Sequence, residues 1–122
     1  MIGSGGVEAF LEGSALGLAV LRYVRGVIPD AEVRVTKSQI AFRRRRAFAW
    51  LWRPRMYLGA RGAEIVLSIA LPREDPSARW KQVVRPSSRT WMHHLEVASV
   101  DELDPQLEGW LREAAAAGAP SA

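Results

Sequence analysis

The sequence predicts an α+β domain of two layers, an antiparallel sheet of about five strands with an N-terminal and a C-terminal helix packed against it. Three observations carry that prediction. Apolar residues recur at helical spacing near each end of the chain, and alternate with a period of two in several runs between them. At 122 residues, with 48% hydrophobic and 25% charged residues and no internal repeat, the chain has the size and composition of one globular domain.

The elements follow in order. Residues 1–6, MIGSGG, read as a flexible leader; they are glycine-rich but follow no strand, so a phosphate-binding loop is excluded by context. Residues 7–118 form the domain. Val7 to Glu12 predicts a short helix ended by Gly13, and Ser14 then caps a helix running to about Ile28, with Leu16, Val20, Tyr23, Val24 and Val27 as its core stripe. Pro29-Asp30 stops it. Val33, Val35, Ile40 and Phe42 mark two half-buried strands, and Ala47 to Trp52 continues as a third, with Phe48, Trp50 and Trp52 on one face and Ala49 and Leu51 on the other. The turn between the second and third strands must be made of arginines, which lack the positive-φ tolerance that hairpins favour.

Glu64 to Leu71 is apolar on both faces, which predicts a central strand. Pro72 to Arg89 is a long polar connection with three prolines and a short edge strand near Val83-Val84. Trp91 to Ala98 gives the last strand. Ser99 and Glu102 are spaced as a capping box, and Asp104-Pro105 offers a helix start of its own. Leu103, Leu107, Trp110, Leu111 and Ala114 make the apolar face of the C-terminal helix, Gly118 ends it, and residues 119–122 form a frayed tail.

Charge is distributed unevenly. The net charge is +4, and fifteen of the 17 basic residues are Arg, an excess that GC-rich codon usage would also produce. Ala31 to Gly62 carries nine basic residues against Glu32, whereas Glu96 to Glu113 carries six acidic residues against Arg112. The basic segment is suited to an anionic partner, which includes the acidic helix of a second copy as a homodimer. Zero cysteines exclude disulfides, thiolate nucleophiles and cysteine-based zinc sites, and fit a reducing compartment. The longest apolar run, Ala15 to Leu21, is too short to span a bilayer, so the expectation is a cytoplasmic protein without a membrane partner.

Few residues suggest chemistry. His93 and His94 are neighbours on a strand and point to opposite faces, so they do not make a metal pair, and neither a metal nor a cofactor is expected. No Gly-x-Ser-x-Gly elbow is present. Arg43, Arg44, Arg45 and Arg46, beside Trp50 and Trp52, have the composition of a surface that forks onto phosphates and stacks rings. The plainer readings are a solvated turn and a pair of core aromatics.

Taken together, TKSQIAFRRRRAFAWLW, VLSIALPREDPSARWKQVV, the WMHHLEV strand and the DELDPQLEGWLREA helix resemble a bacterial family of uncharacterised small domains, domain of unknown function fifty-six fifty-five. The likeness covers about Val7 to Ala117, with Lys37, Ile40, Phe48, His94, Leu103, Asp104, Trp110 and Glu113 at the motif positions and Ala47 where members often carry Gly. It implies a compact α+β domain and supplies no activity, substrate or cofactor. It also implies that Lys37 and His94 line one pocket.

The reading that joins these observations is a non-catalytic binding or accessory domain. Its basic, Trp-rich sheet surface, with Trp50, Trp52, Trp80 and Trp91, would hold an anionic protein, a small anion or a second copy. Two alternatives are sequence-tolerant binding of single-stranded nucleic acid through Arg43 to Arg46, and an enzyme with a Lys37/His94 pocket.

Overall fold

The computed structural model describes residues 2–36, 38–55 and 62–118. Two helices, α1 (Ile2–Phe10) and α2 (Ala15–Val27), precede six strands: β1 (Glu32–Val35), β2 (Gln39–Arg43), β3 (Ala47–Trp52), β4 (Ile65–Leu71), β5 (Gln82–Ser87) and β6 (Thr90–Val97). A short 3-10 turn, Val100–Glu102, leads into the C-terminal helix α3 (Pro105–Ala117). The strands form one antiparallel sheet in the order β1-β2-β3-β4-β6-β5.

The fold is the expected α+β type, with six strands rather than about five. The additional full strand is β5, an edge strand that is exposed along almost its whole length and carries Pro86. Proline and the lack of a buried face disguise such an edge, because neither contributes to an alternating pattern. At the other end, helical backbone begins at Ile2, within the segment expected to be a flexible leader. The expected frayed tail, residues 119–122, lies outside the described residues.

Local signals place the helix ends. Ser14 Oγ accepts from the Gly17 amide at 2.9 Å, capping α2, and donates to Glu64 Oε2 at 2.7 Å. Gly17 itself is a close approach: a Cβ there would lie 2.8 Å from Leu11 Cδ2 and 2.9 Å from Ile65 Cδ1. Asp104 caps α3 by accepting from Leu107 at 3.1 Å, with Pro105 in the first turn.

The helices lie on one face of the sheet. Val20, Leu21 and Val24 of α2 and Leu107, Leu111 and Ala114 of α3 share a core with Ile40, Phe42, Ala49, Leu51, Leu67, Ile69, Leu71 and Leu95. β4 is central, as its two apolar faces predict. No helix among the described residues is long and apolar enough to cross a membrane.

Candidate ligand groove on the open sheet face

The face of the sheet opposite the helices takes its shape from a bulge in β3. Phe42 pairs with Ala49 and Arg43 with Ala47, so β3 has one residue more than β2 at this point, and that residue is Phe48. A bulge re-aims the side chains around it. Phe48 therefore joins Ala49 in the core, 1% exposed, instead of sharing a face with Trp50 and Trp52 as strict alternation predicts. Beyond the bulge the alternation resumes. Ala49 and Leu51 are buried, and Trp50 and Trp52 stand half-buried on the open face.

Cross-strand register then assembles a trough. Trp50 pairs with Ser68, which pairs with His94; Trp52 pairs with Val66, which pairs with Glu96; and Ala70 pairs with Met92. The central strand thus offers only Val66, Ser68 and Ala70 to this face, flanked by indoles from β3 and by Met92 and His94 from β6. Large residues either side of small ones make a groove about two strand spacings, ~10 Å, across. Gln39, Trp50, Trp52, Ser68, Met92 and His94 line one part of it, with a volume of about 360 Å³. A second pocket, of about 470 Å³, shares Trp50 and Met92 in its lining, passes Ala70 to Arg46, Arg89 and Thr90, and turns round the end of the sheet to Ala114, Ala117 and Gly118 at the end of α3.

Three side chains meet in the floor. The Trp52 indole N–H donates to Ser68 Oγ at 3.3 Å, and Ser68 Oγ lies 2.7 Å from His94 Nδ1. A hydroxyl has one proton to give, and His94 Nδ1 is its only acceptor among the described residues. Where the hydroxyl donates to Nδ1, the proton of the neutral ring is on Nε2. Burial holds the His94 pKa below the ordinary histidine value, with the adjacent His93 adding to the effect. The Ser68–His94 distance is that of a nucleophile and its base, but Ser68 is only 4% exposed and its oxygen is engaged by Trp52. The hydroxyl acts as a fastener between β3 and β6.

The arginine run has structural partners that the sequence did not reveal. Arg44 donates to the Ala115 carbonyl at 3.3 Å and to Asp30 at 3.1 Å, and Arg46 donates to the Ala117 carbonyl at 3.1 Å. Both cations thus serve the C-terminus of α3, where free carbonyls and the helix dipole favour positive charge. The Arg45 amide donates to the Gly118 carbonyl at 3.1 Å. This explains how three arginines, Arg44 to Arg46, make the β2–β3 turn without a positive φ, for α3 holds the turn from outside. Arg43 lies 3.6 Å from Glu32. Within the run of four, only the Arg45 side chain lacks a hydrogen-bonding or ionic partner among the described residues.

His93, on the other face, is wholly buried. Its Nε2 accepts from the Asp75 amide at 2.9 Å, and its Nδ1 lies 3.0 Å from the Trp91 carbonyl, so the proton is on Nδ1. Asp75 is the hub of the long connection, accepting from the indoles of Trp80 at 3.0 Å and Trp110 at 3.2 Å, from the Ser77 amide and from Arg73. Burial works to raise its pKa, but these hydrogen bonds outweigh it and hold the carboxyl below the ordinary aspartate value. Arg73 pairs in a fork with Glu113, and Nη1 of Arg79 donates to both oxygens of Asp104, so residues 72–81 form a strap tied to α3. Trp80 is core, packed on Trp110 and His93 with ring centroids 4.2 and 4.8 Å away, and is removed from the set of surface tryptophans. Trp91 is half-buried at the sheet end, under the Arg85 guanidinium at 4.2 Å.

Lys37, expected to share a pocket with His94, lies outside the described residues. No curated protein and no solved structure shows a significant match to the chain. One family model does match, described as Domain of unknown function (DUF5655), and it covers residues 15–115, from the start of α2 nearly to the end of α3. With most of its length inside that match, this chain belongs to the DUF5655 family.

Proposed function

We propose that the protein is a binding domain whose open sheet face holds an anionic partner. The observation that carries this reading is the placement of Trp50 and Trp52. Both indoles stand half-buried on a face that no described helix covers, along a groove with Arg46 and Arg89 at one end. Aromatic side chains on a strand are ordinarily buried for the area they remove from water, so two left on an uncovered face are available to a partner. Strands supply a rigid platform, and the shared Ser68 hydroxyl restrains Trp52 and His94 before anything binds.

The groove rather than the arginine run is the centre of this reading. Arg43 and Arg44 are occupied with Glu32, Asp30 and the end of α3, and Arg46 gives one nitrogen to α3, which weakens the case for a nucleic-acid grip made by the run as a whole. Titrating the protein's tryptophan fluorescence with inorganic phosphate, an acidic peptide and a mononucleotide tests the proposal. A saturable change with at least one of them, lost when Trp50 and Trp52 are replaced by Leu, is expected. No saturable change with any of the three counts against it.

A further inference from the structure

We infer that the groove takes a single nucleotide, a planar base joined to a phosphate through a sugar, an inference that rests on the open face being the binding surface. The two pockets differ in chemistry and adjoin at Trp50 and Met92, which line both. One part is aromatic, floored by Ser68 and edged by Gln39 and His94, whose amide and imidazole are the kinds of group that read the rim of a base. The other ends in two guanidinium groups and a hydroxyl, those of Arg46, Arg89 and Thr90.

The lengths agree with such a ligand. From Met92 to Thr90 is two residues along β6, about 7 Å, a distance that a ribose bridges. A base lying between Trp50 and Met92 therefore brings its phosphate to Thr90 and the arginines. Arg46 uses one nitrogen, Nη2, on the Ala117 carbonyl, which leaves its other donors for the ligand. The Arg89 side chain has no partner among the described residues and is exposed. Forked donors of this kind suit phosphate oxygens.

Charge along the face argues for one nucleotide and against a strand. Glu96 is exposed on β6 at the end opposite Arg89, in the same cross-strand row as Val66 and Trp52. A second phosphate placed beyond the tryptophans meets a carboxylate. The guanidinium groups of Arg46 and Arg89 lie at one end, which orients a ligand that carries its anionic group at one end only.

Isothermal titration calorimetry on the full chain tests this with adenosine monophosphate, adenosine, inorganic phosphate, a short oligoadenylate and the acidic peptide. Adenosine monophosphate is expected to bind saturably, with adenosine and phosphate each weaker by about tenfold or more. Arg89→Ala, on an exposed side chain outside the core, should weaken the monophosphate several-fold and leave adenosine unchanged. Trp50→Leu, checked for native circular dichroism, should weaken both. Equal affinity for the monophosphate and free phosphate overturns recognition of the base, and tighter binding of the oligonucleotide overturns the single-nucleotide limit. Binding of the acidic peptide alone, lost in Trp50→Leu, overturns the nucleotide and leaves the open face as the binding surface. Silence from every probe overturns both.

Discussion

Ser68 Oγ and His94 Nδ1 are 2.7 Å apart across the β4–β6 ladder, and that contact fixes the ring that edges the groove. Because the Trp52 indole donates to the same oxygen, removing the hydroxyl loosens two groove walls at once. Ser68→Ala should lower stability by about 1 kcal/mol and broaden the Trp52 indole resonance. Urea unfolding and proton–nitrogen spectra of the variant check the two outcomes.

His94 also predicts the sign of a pH dependence. Its pKa is lowered in the folded protein by burial, so between that value and the ordinary 6.5 the unfolded chain holds the more protons. Stability contributed by this group therefore rises with pH through that window, is complete above 6.5, and is lost below the folded pKa. His94→Gln should flatten the profile there. Denaturation midpoints measured across the window, for both proteins, decide it.

Asp75 ties the strap to the core, and its two indole donors are left without an acceptor if it is lost. Asp75→Ala should cost about 2–4 kcal/mol. Its lowered pKa gives the opposite acid limb to a raised one: the stability it contributes is full above 3.8 and is lost as pH falls through the folded value. Chemical denaturation of the variant at neutral pH, and of the native protein towards pH 2, supplies both readings.

The bulge makes a contrast between neighbours on one strand. Phe48 is core, whereas Trp50, two residues on, is on the open face. Phe48→Ala should destabilise by about 3–5 kcal/mol, and Trp50→Ala by less than half of that. Equal costs would mean that the two side chains share an environment.

Arg44 and Arg46 donate to the last carbonyls of α3, whereas the Arg45 side chain has no such partner. Alanine at Arg44 or Arg46 should each cost about 0.3–1 kcal/mol, more than alanine at Arg45. Thermal unfolding at low salt ranks the three.

How much of this the sequence carried depends on how local the cause is. The Ser14 and Asp104 caps, the α2 and α3 stripes and the central position of β4 all follow from spacing within one element. The alternation of Ala49, Leu51, Trp50 and Trp52 was likewise legible, and it placed the tryptophans together. Phe48 was misplaced because a bulge is a count between two strands, invisible in either alone. The bonds of Arg44 and Arg46 to the end of α3 were not legible because those carbonyls lie 71 residues away in the chain. Asp75 gave no signal at all, for an aspartate in a proline-rich connection reads as solvated until Trp80 and Trp110 are seen to converge on it. The groove needed Ser68 to be placed between Trp50 and His94, and that is a matter of register.

The five tryptophan indole resonances report directly on whether a partner binds the open face. Titrating nitrogen-labelled protein with adenosine monophosphate should shift the Trp50 and Trp52 signals saturably and leave those of the buried Trp80 and Trp110 in place. Shifts confined to Trp80 and Trp110, or no saturable shift at Trp50 and Trp52 with this ligand, phosphate or an acidic peptide, would contradict it.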